Sequence, residues 1–133
     1  MKKLSQTLLL FVITLISFSG CQIKQEVDKD IDMSDAFVHS AYFWFKEGVS
    51  QERIEAFIKD AEQLKEIETV QGFFSGPPAP TTREVIENTY DFAVVFLFKD
   101  LEAQEFYQKA PLHLEMIEKH SDIWERVMVT DVE

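Results

Sequence analysis

The hydrophobic pattern of residues 37–76 predicts a strand, a helix and a second strand. Aromatic and β-forming residues fill 37–46 (FVHSAYFWFK) without Gly or Pro, which indicates a strand. Ser50 is suited to cap the helix that follows, in which apolar residues recur at three- and four-residue steps: Ile54, Phe57, Ile58, Ala61, Leu64 and Ile67. A short strand over 69–75 is followed by Gly76, Pro77 and Pro78, and the two prolines cannot continue a central strand.

The pattern of residues 79–132 repeats this order after a polar loop over 79–88. Residues 90–99 (YDFAVVFLFK) form the most hydrophobic predicted strand, and 124–132 form the last. Between them Asp100 caps a helical region that Pro111 divides into 101–109 and 111–120. The element order βαββαβ predicts an α+β, ferredoxin-like fold, with a four-stranded antiparallel sheet and helices on one face.

Both faces of the predicted sheet are apolar, although the helices can cover only one. We place Phe37, His39, Ala41, Phe43, Phe45, Phe92, Val94, Phe96 and Phe98 against the helices. The opposite face then carries Tyr42, Trp44, Ala93, Val95 and Leu97. Covering apolar surface is favourable by about 25 cal/mol per Å², so the sequence predicts a homodimer in which two sheets pack face to face. The alternative is that the loop over 79–88 or the segment before residue 36 covers this face.

The first 35 residues predict export and attachment rather than a folded domain. Lys2 and Lys3 precede an apolar run over 8–16 that is too short to span a membrane, as in a secretory signal peptide. Residues 18–21 (FSGC) resemble the lipobox of bacterial lipoproteins, which implies cleavage after residue 20 and a diacylglycerol group on the sulfur of Cys21. The alternative is an ordinary signal peptide, 1–20, with an incidental cysteine. Residues 21–35 are polar and predict a tether that leads to a domain over 36–133; the alternative is a short helix that packs on the domain.

Composition and charge narrow the partners and cofactors. The chain has 133 residues, 13 Lys and Arg, 24 Asp and Glu, and a net charge of −11. This acidity argues against a nucleic-acid partner and against electrostatic attachment to anionic lipid. The lipid on Cys21 would therefore be the membrane anchor, at the bacterial cell envelope. A single cysteine excludes an internal disulfide and thiolate zinc sites. The sequence lacks a glycine-rich phosphate loop, and we expect no metal and no cofactor.

Several segments together resemble one family of domains, the stress-responsive dimeric α/β-barrel family, Dabb. They are FVHSAYFWFKEGVS, FFSGPP, YDFAVVFLFKDLEAQEFY and APLHLEM, and the resemblance extends over about 37–132. It implies two four-stranded sheets that close into a barrel across a dimer interface. By similarity to the plant polyketide cyclases of the family, it implies His113 as a catalytic base, Tyr107 as its partner and His39 as a third polar residue. Ala61 lies near the position where those cyclases have a tyrosine.

Three functions are consistent with this sequence. The high Phe content favours a module that binds a small apolar or aromatic molecule between sheet and helices, with Phe43, Phe57, Phe96 and Phe98 as pocket residues. The second is a cofactor-free enzyme of polyketide-cyclase, isomerase or oxygenase type, with His113 as general base. The third is a stress-linked structural protein without a pocket, in which His113 has a structural role. A cavity well below about 300 Å³ would favour the third.

Overall fold

The computed structural model describes residues 36–133. The predicted signal peptide and tether, with Cys21, lie outside the described residues. The elements are β1 Phe37–Phe45, α1 Gln51–Gln63, β2 Val70–Gly76, β3 Phe92–Phe98, α2 Leu101–Lys109, α3 Pro111–His120 and β4 Trp124–Val132, with single 3₁₀ turns at Leu64–Glu66 and Ser121–Ile123. None of the helices in this part of the chain is long and apolar enough to cross a bilayer.

The four strands form one antiparallel sheet in the order β2-β3-β1-β4. This confirms the predicted ferredoxin-like βαββαβ fold. β1 lies at the centre of the sheet, where His39 is opposite Phe96 of β3 on one side and Asp131 of β4 on the other. β2 and β4 are the edge strands, and β4 is the edge strand that pairs with β1.

Local side-chain chemistry fixes the helix boundaries. The Ser50 hydroxyl accepts a hydrogen bond from the backbone N–H of Arg53 and so caps α1. The carboxylate of Asp100 accepts one from the N–H of Ala103 at 2.9 Å and caps α2. Pro111 begins α3, because its locked φ suits the first turn of a helix and its missing N–H costs nothing there. These three predicted boundaries are confirmed.

The core lies between the sheet and the helices, and it is mostly aromatic. Phe57 of α1 is fully buried, with its ring centroid 4.9 Å from that of Phe43 and 5.7 Å from that of Trp124. Phe96 and Phe98 of β3 are also fully buried, at 0% exposure. Eight of the nine residues placed on the inward face are buried, and Phe45 is half-buried and packs against the core. Of the residues placed on the outer face, Ala93 is also buried.

The opposite face of the sheet is covered at one end by the chain itself. The Tyr90 ring lies 5.1 Å from Tyr42, and the indole N–H of Trp44 donates to the Thr89 hydroxyl at 2.9 Å. The guanidinium of Arg126 lies 4.2 Å above the Trp44 ring. The covering residues thus include Thr89 and Tyr90, just after the loop over 79–88, and Arg126 of β4. This cover does not reach the β2 edge, where Phe74 is 72% exposed.

Candidate functional site

A cavity of about 220 Å³ lies between the inner side of β1 and β4 and the helices α1, α2 and α3. We call it the histidine cavity. It exists because the helices leave the inner side of the edge strand β4 partly uncovered: Val127 and Val129 line the cavity and are 39% and 50% exposed. Its apolar wall includes Ala41, Phe43, Leu64, Val94, Met116 and Ile117. The cavity therefore reaches the surface beside β4.

The three predicted polar residues all line this cavity. His39 comes from β1, Tyr107 from the last turn of α2 and His113 from the first turn of α3. Their rings follow one another, with centroids 5.9 Å apart for His39 and Tyr107 and 4.6 Å apart for Tyr107 and His113. All three are buried. The fold thus brings together residues that are far apart in the sequence.

The His113 imidazole is held in one orientation by a backbone carbonyl. Its Nδ1 lies 3.1 Å from the carbonyl oxygen of Gln108. A carbonyl can only accept, so Nδ1 carries the proton and Nε2 keeps a free lone pair. Burial lowers the pKa of His113 below its ordinary value, against the opposing effect of the Gln108 hydrogen bond, and the nearby His39 lowers it further. The ring is therefore neutral at neutral pH and can accept a proton.

His39 has a carboxylate partner that the sequence did not single out. Its Nδ1 lies 2.6 Å from Oδ1 of Asp131, the residue directly opposite it on β4. An ionised carboxylate accepts from Nδ1–H and so fixes the orientation of the ring. Residues directly opposite in antiparallel strands share a face, but the pairing of β1 with β4 depends on register, which the sequence pattern alone did not give. Asp131 could therefore be identified as the partner of His39 only from the pairing of β1 with β4 in the structure.

Tyr107 provides a phenol that stays protonated. Burial raises the pKa of Tyr107 well above its ordinary value. Its ring lies against that of His113 at an interplanar angle of 42°. Within residues 36–133 its hydroxyl makes no hydrogen bond to His113, so the two residues meet through their rings. A protonated phenol in the cavity wall is a hydrogen-bond donor for a bound molecule.

The predicted aromatic wall requires a correction. Of the four phenylalanines expected to line a pocket, Phe43 lines the histidine cavity. Phe57, Phe96 and Phe98 are fully buried in the core and do not line it. Large rings at these central positions pack against one another, so the open space lies toward β4, where Val127, Val129 and the indole of Trp124 form part of the wall.

The cavity volume limits the size of a ligand. At about 220 Å³ it lies below the roughly 300 Å³ at which drug-sized pockets begin, which counts toward the structural function. A cavity of about 150 Å³ nevertheless already holds benzene. The site is therefore large enough for one ring. Within residues 36–133, no three His, Cys, Asp or Glu side chains come together as a metal-binding group.

The fold and its cavity define a ferredoxin-like α+β domain. The chain belongs to the stress responsive A/B barrel domain family, Dabb, whose pattern matches residues 37–133. No curated protein matches the sequence.

Solved structures share the fold. A protein of Arabidopsis thaliana is 28% identical, with a TM-score of 0.63 over 73% of this chain and 93% of that chain. The hydroxynitrile lyase from Passiflora edulis is 18% identical, with a TM-score of 0.65 over 74% and 92%. A dimeric ferredoxin-like protein of unknown function from Thermobifida fusca is 19% identical, with a TM-score of 0.61 over 73% and 89%. The solved neighbours thus include dimeric ferredoxin-like proteins.

Proposed function

We propose that this Dabb domain binds a small single-ring molecule in the histidine cavity. The observation that carries the proposal is the row of His39, Tyr107 and His113 in a mostly apolar cavity, whose other polar lining residues are Gln108 and Asp131. Apolar cavities with a few converging polar groups are typical of small-molecule sites. The Nε2 lone pair of His113 accepts a hydrogen bond and the Tyr107 hydroxyl donates one, so a ring with a hydroxyl group suits both.

Phenol is a suitable test molecule, because it is one ring with one hydroxyl. Its binding to the full-length chain in detergent is measured by calorimetric titration. We expect saturable binding of phenol. The affinity should fall about tenfold in His113→Leu, because this variant loses one buried hydrogen bond. His120→Leu is the matched control, since His120 is also buried on α3 but does not line the cavity. Equal affinity in the two variants would contradict the proposal.

A second candidate function is acid–base catalysis without a cofactor. Two observations favour it: the 2.6 Å contact of His39 with Asp131, and the free Nε2 of neutral His113. In this reaction Nε2 of His113 removes a proton from a carbon next to a carbonyl group, and the Tyr107 hydroxyl donates a hydrogen bond to the oxygen that becomes negative. Exchange of the α-hydrogens of phenylacetone with D₂O, followed by NMR, tests this step. The rate should fall to that of buffer in His113→Leu and stay unchanged in His120→Leu.

We further propose that the domain is a homodimer through the outer sheet face, defined by Tyr42, Trp44, Phe74, Val95 and Leu97. The support is the apolar character of this face, the 72% exposure of Phe74 and the likeness to a dimeric protein of the same fold. Two such faces packed together would remove the exposed rings from water. Sedimentation velocity at micromolar concentration tests the proposal, and a monomer under those conditions would contradict it.

We also propose that a lipid on Cys21 holds the protein at a membrane of the bacterial cell envelope. The support is the sequence alone: a positive start, a short apolar run and small residues directly before Cys21. The charge of −11 gives the chain no electrostatic attraction to anionic lipid. Attachment therefore depends on the acyl chains.

A further inference from the structure

A second cavity lies on the other side of the contact between α1 and α3. It has a volume of about 210 Å³, and we call it the outer cavity. Its wall consists of Asp60 and Gln63 of α1 with Leu112, Glu115, Met116 and Lys119 of α3. The histidine cavity uses the neighbouring residues Ala61 of α1 and Ile117 of α3, together with Leu64 of the 3₁₀ turn after α1. The two cavities are thus separated by the line along which α1 and α3 pack.

Met116 is the side chain that belongs to the walls of both cavities in the described part of the chain. It is 6% exposed, so it fills the space between the two helices rather than pointing to solvent. On α1, Ala61 lines the histidine cavity, has no side chain beyond its β-carbon and is 1% exposed. Met116 is thus the long side chain that both cavities share along the contact of α1 with α3.

The walls of the two cavities differ in chemistry. The histidine cavity is mostly apolar, whereas the outer cavity carries two carboxylates and one ammonium group. The Asp60 carboxylate is already paired with Lys119 and His120. Glu115 forms no salt bridge within residues 36–133. It is therefore the carboxylate of the outer cavity that is open to a positively charged group.

From this arrangement we infer that Met116 separates the two cavities and so decides where an arm on a bound ring can run: beside β4, and not between α1 and α3. The inference rests on the proposed binding function, which it makes more specific. Replacement of Met116 by a small residue joins the two cavities. The enlarged site then accepts a phenol whose flexible arm runs between α1 and α3 and ends in an ammonium group near Glu115.

Two molecules test this inference by calorimetric titration of the full chain: phenol, and 4-(4-aminobutyl)phenol. Wild type should bind phenol, and Glu115→Gln in the wild-type chain should leave its affinity for the long molecule unchanged, because Met116 keeps the ammonium group away from Glu115. Met116→Ala should bind the long molecule at least as tightly as phenol. Ile117→Ala is the matched control, because it enlarges the histidine cavity without removing the shared wall. Glu115→Gln in the Met116→Ala chain should weaken the long molecule alone.

The outcomes separate the inference from the proposed function. If wild type does not bind phenol, the proposed function fails and the inference fails with it. If wild type binds phenol but Glu115→Gln weakens its binding of the long molecule, or if Ile117→Ala raises the affinity for that molecule as Met116→Ala does, the inference alone is wrong. Should Met116→Ala not fold, Met116→Val is titrated in its place. In wild type labelled with ¹³C at the methionine methyl groups, phenol should also shift the Met116 signal, and an unmoved signal would overturn the inference.

Discussion

The Asp60 carboxylate of α1 accepts a hydrogen bond from the His120 ring of α3, with Oδ2 and Nε2 2.8 Å apart. The Lys119 ammonium donates to the same oxygen. His120 is buried at 1% exposure, and its Nδ1 is one of the buried polar atoms without a partner in the described residues. This pair joins the two helices that flank the outer cavity. The sequence pattern did not indicate that α1 lies beside the end of α3, so it could not single out this pair.

The Asp60 pair predicts a specific loss of stability in acid. The hydrogen bond from Lys119, followed by that from His120, holds the pKa of Asp60 below its ordinary value of 3.8. A carboxyl whose pKa is lowered in the folded state stabilises the protein above its unfolded pKa, and this contribution is lost as the pH falls through the lowered folded pKa. Asp60→Asn should lower the free energy of unfolding at pH 7 by about 1.5–3 kcal/mol and should flatten the pH dependence below pH 4.

Urea unfolding from pH 2 to 7 measures this effect. Asp122→Asn is the matched control, because Asp122 pairs with Arg53 at 2.8 Å but its side chain is 65% exposed. Exposed pairs contribute about 0–1 kcal/mol. Equal losses in the two variants would show that the buried pair contributes no more than an exposed one.

The environment of His113 predicts its titration. Burial is the largest effect and lowers the pKa of His113 below 6.5. The ring therefore stays neutral, with Nε2 able to accept, down to a pH below that of a free histidine. The NMR signal of its Cε1 proton should show a midpoint below 6.5, and phenol affinity should fall only below that midpoint. A midpoint at or above 6.5 would contradict the predicted neutral base.

The outer sheet face predicts which exposed side chain matters for assembly. Phe74→Asp introduces a charge at the apolar β2 edge of this face, and we expect it to dissociate the dimer in sedimentation velocity. Val85→Asp is the matched control, since Val85 is 91% exposed but lies in the connection between β2 and β3, outside the sheet. If both variants sediment as wild type does, the subunits do not meet through this face.

Lipid attachment at Cys21 predicts a simple difference between two chains. Expressed in bacteria with an alkyne-tagged palmitate, the wild-type chain should become labelled and sediment with membranes. Cys21→Ala should carry no label and should leave the membrane fraction. Label on Cys21→Ala, or an unlabelled wild type, would refute the proposed anchor.

Local chemistry made the fold predictable, whereas the site depended on tertiary geometry. Ser50, Asp100 and Pro111 act on the backbone within a few residues of themselves, so their effect is visible in the sequence. The His39–Asp131 contact joins residues 92 positions apart and depends on strand register. The error over Phe57, Phe96 and Phe98 has the same origin. Aromatic content predicts a large core, but only packing decides which rings border the remaining space.

Successive residues of β1 serve opposite sides of the sheet: His39, Ala41 and Phe43 border the histidine cavity, while Tyr42 and Trp44 belong to the outer face. In the proposed dimer each subunit would keep its own cavity, open beside β4 and turned away from the partner. We therefore expect two equivalent, uncoupled sites and a hyperbolic saturation curve. Substitutions on the cavity side of β1 can therefore change which ligand is bound without changing the association of the subunits.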